Sequence, residues 1–240
     1  MHVVSVNVGL PREVEWKGRK VLTGIFKGPV HARVPVRRLN IDGDGQADLT
    51  VHGGPEKAVY AYPSEHYGPW AGRLGYELSP GNFGENLTTQ GLLEDAVHIG
   101  DEFRVGTARL VVTQPRLPCF KLGIRFGDPG MVKTFLRAGM PGIYFAVVEE
   151  GEVGPEDPIE RLAEDGSRVS VAEMFRLVLD RDADPPPRCD GSSACRRWRP
   201  SGDRHWKSVL GSDATAPSPG RRGSQTPEAS SSPIENDSRR

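Results

Sequence analysis

Between residues 92 and 113 the chain passes through three short apolar segments cut by glycine, and this rhythm limits the fold more than any other feature. Residues 92–99 stop at Gly100, Phe103 and Val105 stop at Gly106, and an alternating run follows from Ala108 to Thr113. Segments this short and closely spaced leave no room for a helix between consecutive strands. They argue for an all-β barrel or sandwich rather than strand–helix–strand units. Further strands are expected at His2 to Val8, which alternates at period two before the break at residues 9–11, and at residues 21–26, 34–39, 142–148 and 159–162. Helical spacing is read over residues 58–74, from Tyr60, Tyr67, Trp70, Ala71 and Leu74, with Ser64 as a cap after Pro63. Short helices are also expected over residues 120–126, 131–138 and 171–179. The fold class is therefore mainly β with peripheral helices.

The organisation expected is a β-rich domain over residues 1–165, a helical segment over 166–181 and a tail over 182–240. Three prolines, Pro185, Pro186 and Pro187, lead into sequence rich in Ser, Pro, Gly and Arg. With few aliphatic side chains to bury, that tail cannot offset the entropy of ordering, and disorder is expected there. Trp198 and Trp206 interrupt this composition. A net charge of −1 over 240 residues carries no electrostatic footprint for nucleic acid or an anionic membrane surface. An anionic ligand must then be held by local charges. No apolar run approaches the roughly 20 residues that span a bilayer. Three cysteines without zinc spacing, and no secretory segment at the start, point to a reducing, cytoplasmic compartment.

One of those cysteines, Cys119, is framed for chemistry. It follows the strand-like run to Thr113, within Gln114, Pro115, Arg116, Leu117, Pro118, Cys119, Phe120 and Lys121. Proline suits the first turn of a helix, so Pro118 places a short helix at Cys119. A thiol at a helix N-terminus between Arg116 and Lys121 should favour its thiolate, which is a nucleophile or a soft-metal ligand. A buried, inert cysteine is the competing reading. Cys189 and Cys195 match neither a redox nor an iron–sulfur spacing.

Two glycine-rich stretches are candidate partners. In Val51, His52, Gly53, Gly54, Pro55, Glu56 and Lys57, paired glycines allow backbone N–H groups to converge on an anion, and Lys57 adds charge; a plain turn would use the same residues. Residues 80–87, with Phe83, Gly84, Glu85, Asn86 and Leu87, form a loop that permits close backbone approach to a ligand. The glycine and aspartate turn at residues 41–46 lacks the further oxygens and closing glutamate of a calcium loop.

Val51, His52, Gly53 and Gly54 with Lys57, then residues 83–87, then Ile99, Gly100 and Asp101, then Gln114, Pro115 and Arg116 with Cys119, resemble the MOSC domain of molybdenum-cofactor proteins. Tyr62, Pro63, Ser64, Glu65, His66 and Tyr67 make the resemblance closest to its bacterial YiiM-like branch. It covers roughly residues 1–180, and beyond Asp182 the tail does not match the several C-terminal helices of that branch. The resemblance implies a closed or nearly closed MOSC-type β-barrel with peripheral helices. It implies a molybdenum cofactor, a Mo-pyranopterin, whose metal is bound by Cys119. It further implies Lys57, Gly53, Gly54, Phe83, Gly84, Glu85, Asn86, Leu87, Gln114 and Arg116 as cofactor-binding candidates, with Lys27 and Lys121 as weaker ones; the reaction also needs a proton donor, for which His52 is one candidate, a structural histidine hydrogen-bonded in the turn being the competing reading. The implied activity is reduction of N-hydroxylated small molecules, hydroxylaminopurines or amidoximes. The chain has no flavin, NAD or iron–sulfur motif, so electrons are expected from a separate reductase. The alternative implied by MOSC domains fused to cofactor sulfurases is a cofactor or sulfur carrier using a Cys119 persulfide.

Overall fold

The computed structural model describes residues 1–47, 53–166 and 168–180; the expected disordered tail and His52 lie outside these residues. Twelve strands occur among them: β1 (His2–Val8), β2 (Arg12–Trp16), β3 (Arg19–Thr23), β4 (Gly28–Val30), β5 (Val34–Val36), β6 (Val59–Pro63), β7 (Leu87–Gln90), β8 (Glu102–Val105), β9 (Ala108–Pro115), β10 (Ile143–Glu149), β11 (Gly151–Val153) and β12 (Ile159–Ala163). Four α-helices lie outside the sheet, α1 (Tyr67–Leu74), α2 (Phe120–Phe126), α3 (Met131–Ala138) and α4 (Val171–Leu179). None is long and apolar enough to cross a membrane.

Eight strands form one sheet in the order β12-β8-β9-β10-β6-β7-β1-β4, with β2-β3 and β5-β11 as separate pairs. All ladders are antiparallel except β6 with β7. The sheet is not closed into a barrel by strand ladders. β1, next to the β4 edge, meets the chain at the start of β12 through single backbone bonds: Val3 N–H to the Asp157 carbonyl at 2.9 Å, Glu156 N–H to the Val3 carbonyl at 2.8 Å, and Ile159 N–H to the Met1 carbonyl at 2.9 Å. β1 is thus joined to the entry of β12 without a ladder, and the expected closed or nearly closed barrel is replaced by an open sheet.

Two cores fill the protein. One lies inside the curved sheet, from Val3, Val6, Val59, Leu87, Phe103, Leu110 and Phe145 among others, and α4 covers its margin with Val171 and Met174. Ser170 caps α4 by accepting the Glu173 N–H at 3.0 Å. The other is aromatic: Phe83 stacks on Tyr62 at 4.4 Å between centroids, and Trp70, Phe126 and Phe135 surround it. Burial of each such ring contributes about 1.5–3 kcal/mol.

The strand rhythm, the mainly β class and the peripheral helices are present, and two local expectations are corrected. Residues 58–74 are not one helix. Val59–Pro63 is buried at every position because Val59 and Ala61 face the sheet core while Tyr60 and Tyr62 face the aromatic core, so both faces are covered, and only Tyr67–Leu74 is helical. Residues 92–99 are not a strand either: Leu92, Val97 and Ile99 are buried, but their backbone reaches residues 169–171 through isolated bonds, Ile99 N–H to Val169 and Val171 N–H to Val97, both 2.9 Å.

Candidate cofactor site

A cleft with a volume of about 100 Å3, open to solvent, lies where β6, β9 and β10 come together. Its walls come from residues 23–27 at the end of β3, residues 44–47, Lys57 of the 3-10 turn, residues 116–121 between β9 and α2, Gly84 and Asn86, and the strand residues Tyr60 and Tyr144. Sheet geometry brings them together. Tyr144 of β10 is opposite Tyr60 of β6 and Gln114 of β9, and Arg116 and Cys119 leave the end of β9. Thr113 fastens the 3-10 turn to this edge, its hydroxyl meeting the carbonyls of Glu56 at 2.7 Å and Tyr144 at 3.0 Å.

Cys119 is half-buried and stands just before α2, in an extended conformation at φ −120° and ψ 175°. Its carbonyl accepts the Leu122 N–H at 2.9 Å, whereas its side chain makes no capping bond. The sulfur is therefore not engaged in holding the helix, and it is on the cleft wall. Arg116, on the same wall, is only 6% exposed. Its guanidinium lies 5.0 Å from the Tyr60 ring centroid and 5.4 Å from that of Phe135. Buried Nη1 has no hydrogen-bond partner among the described residues. Burial works against the charged form, yet the Arg116 pKa lies above its ordinary value, so the side chain is a cation at any working pH. A desolvated cation with an unused donor suits an anionic ligand.

Lys57 and Lys121 add positive side chains to the wall. Lys27 reaches it too, in an ion pair with Asp44 in which the side chains are 8% and 2% exposed. Asp44 is fully occupied: Oδ1 also accepts the Gly9 N–H at 3.1 Å, and Oδ2 accepts from Asn86 Nδ2 at 2.9 Å. The 41–46 turn thus serves as a scaffold for Lys27. Tyr60 and Tyr144 stay neutral, since burial pushes both hydroxyls above their ordinary pKa.

The loop at residues 80–87 divides its labour. Gly84 and Asn86 line the cleft. Asn86 is braced by the Tyr60 N–H to its Oδ1 at 3.1 Å, in addition to its bond to Asp44. Phe83, Glu85 and Leu87 point inward instead, Phe83 into the aromatic core and Leu87 into the sheet core. Gly81 and Gly84, at φ 84° and 75°, lie against the backbone and side chains of residues 25–27, where an added Cβ would come within 2.7 Å of the Lys27 carbonyl and 2.9 Å of Ile25. Glycine is required at both positions for the loop to pack there. Gly53, Gly54 and Gln114 adjoin the cleft in sequence without lining it.

Glu85 anchors this loop. Its carboxylate accepts from Gly81 N at 2.7 Å, Phe83 N at 2.9 Å and Thr88 Oγ1 at 3.1 Å, and from the Tyr67 hydroxyl. Glu85→Ala leaves those buried donors unpaired, and we expect a loss of about 2–4 kcal/mol, read as a melting temperature roughly 5–15 °C lower. Burial raises the Glu85 pKa against the pull of its hydrogen bonds. The folded protein then keeps this proton over a window, starting at the ordinary value of about 4.3, in which the unfolded chain has lost it. The linked stability is fully present below that window and is lost as pH rises through the folded value. Denaturant titrations across the window should show wild-type stability falling as pH rises, a fall that Glu85→Gln, with no carboxyl to titrate there, should not share.

The MOSC domain matches residues 48–160. An uncharacterized protein of Bacillus subtilis, YflK, is 48% identical over 175 residues, covering 73% of this chain and 79% of YflK. The chain belongs to the MOSC domain family. Within that family it is also similar to protein YiiM of Escherichia coli, 38% identical over 160 residues, 65% of this chain and 70% of YiiM. The crystal structure of YiiM from Geobacillus stearothermophilus superposes with a TM-score of 0.68 at 32% identity, covering 87% of this chain and 98% of that one. A Gibberella moniliformis protein named Reductase is 32% identical over 169 residues, 69% of this chain and 30% of that longer protein. MOSC domains are associated with the molybdenum cofactor, and the wall described above fits such a group: a thiol with a free side chain, a buried unpaired guanidinium donor and two further lysines.

Proposed function

We propose that this MOSC protein is a molybdenum cofactor-dependent oxidoreductase that reduces N-hydroxylated compounds of the hydroxylaminopurine or amidoxime type, with Cys119 as the molybdenum ligand. The observation that carries the reading is that the half-buried Cys119 thiol and the unpartnered Nη1 of Arg116 share one cleft wall. A soft thiolate suits molybdenum, and a desolvated guanidinium suits an anionic group borne on the same ligand. When bound, the cofactor would supply the two-electron chemistry that removal of oxygen from nitrogen requires.

The protein's own groups bind and orient. Arg116, with Lys57 and Lys121, would hold the cofactor's negative charge. Gly84 and Asn86 would shape its seat, while Glu85, Phe83 and Leu87 keep that loop in place from behind. The neutral Tyr144 hydroxyl can orient a polar substrate, whereas the Tyr60 hydroxyl is already donated to the Pro141 carbonyl at 2.8 Å. His52, beside Gly53, is assigned as a proton donor. Electrons would come from a separate reductase, and the relative named Reductase supports redox chemistry in the company of this domain. Residues 1–165 would carry the site, with the helical segment at α4 packed on its core.

Protein made in cells able to synthesise the cofactor should reduce a hydroxylaminopurine with a reduced dye as donor, and protein from cofactor-deficient cells should not. Equal rates from both preparations would overturn the reading. A gain of one sulfur on Cys119 without bound molybdenum would assign the carrier role instead.

A further inference from the structure

We propose that Lys27, clamped by Asp44, donates a proton to the substrate in the cleft; this rests on the reductive function above. In the reaction, an N-hydroxylated amine takes up two electrons and two protons and yields the amine and water. The N–O bond breaks, one N–H and one O–H bond form, and both electrons come from the external reductase. Each turnover therefore consumes two protons at the cleft, which a donor on its wall has to deliver.

The wall offers few groups for this work. Arg116 does not release its proton at any working pH. Tyr60 and Tyr144 hold theirs more tightly than ordinary phenols, as burial dictates. Cys119 is committed to the metal. Lys57 and Lys121 are half-exposed at the wall, and Lys27 is the lysine whose side chain is withdrawn from water. Its position is fixed: Gly81 packs so close to the Lys27 backbone that no side chain fits between them, and Asp44, braced by Gly9 and Asn86, holds its ammonium.

An ammonium has three N–H donors, and the carboxylate accepts from one of them, so the same group can serve Asp44 and a ligand. The charges that act on it have opposing signs. Burial lowers its pKa most, Asp44 and Glu85 act the other way, and Arg116 adds to the lowering, with the net result below the ordinary lysine value. A lysine tuned downward by burial is a better acid near neutral pH, and positioned general acids contribute about 10²–10⁴-fold to rate. After transfer, the neutral amine, only 8% exposed at the cleft wall, regains its proton through the cleft.

The test has two arms. In the first, the full-length wild-type protein is labelled with 13C at lysine Cε and titrated by NMR; Lys27, identified by its absence in Lys27→Arg, should titrate below the ordinary value of about 10.4. Titration at or above that value overturns the proposal. In the second, Lys27→Met and Lys27→Arg are purified from cofactor-competent cells. Both should keep wild-type molybdenum content and absorption spectrum and a similar KM, while kcat falls about 10²–10⁴-fold and the alkaline limb of the pH–rate profile is lost. Wild-type kcat in Lys27→Met, or loss of its molybdenum, overturns the assignment while leaving the reductase function standing. A wild-type protein that binds molybdenum but reduces no N-hydroxylated compound overturns both.

Discussion

Cys119→Ala is expected to lower reduction of N-hydroxylated substrate by well over 10²-fold, because loss of an outer partner of a metal ligand alone costs about 10–100-fold. Stability should change little, by under about 1 kcal/mol, since the side chain is half-buried and caps nothing. Cys119→Ser should fail as badly: its oxygen is a hard donor where a soft metal centre favours sulfur. Steady-state kinetics beside thermal melts of the three proteins would check this. A serine variant with wild-type activity would show that the sulfur is not a ligand.

Arg116→Met should separate function from stability in the opposite direction. The guanidinium is buried, and its Nη1 bonds to nothing among the described residues, so the protein without ligand carries a desolvated cation whose hydrogen-bonding capacity is unmet. An apolar side chain of similar length, between Tyr60 and Phe135, should be neutral or stabilising by about 1–4 kcal/mol, as replacements of buried charge often are. Removing one member of a buried charge pair typically costs about 2–5 kcal/mol of binding, so cofactor affinity should drop on the order of 10² to 10³-fold. A melting temperature that holds or rises while retained molybdenum collapses is the expected signature. Retention of molybdenum would show that the anionic group is held elsewhere, by Lys57 or Lys121.

Much of the fold was legible because glycine punctuation and period-two alternation are local signals, as in Gly100, Gly106 and residues 108–113. Residues 58–74 misled for a physical reason. Tyr60, Tyr67, Trp70 and Leu74 do share a helical spacing, yet β6 is covered on both faces, and a strand buried on both sides loses its alternation. The aromatic run ending at Pro63 was the available signal for a strand. At the site, Cys119, Arg116, Lys57, Gly84 and Asn86 were legible and line one cleft. Phe83, Glu85 and Leu87 come from the same motif, but their side chains hold the loop from inside. Tyr60, Tyr144 and Asp44 were missed as wall residues. They reach the cleft through strand register and through a buried ion pair that spans residues 27 and 44, and neither relation leaves a mark in the sequence.

The central claim is that Cys119 holds molybdenum. The most direct measurement is the molybdenum content and visible absorption of wild-type protein purified from cofactor-competent cells, read beside Cys119→Ala. The account predicts stoichiometric molybdenum and a thiolate-to-metal absorption band in wild type, with both lost in the variant. Equal molybdenum and equal spectra in the two proteins would contradict it.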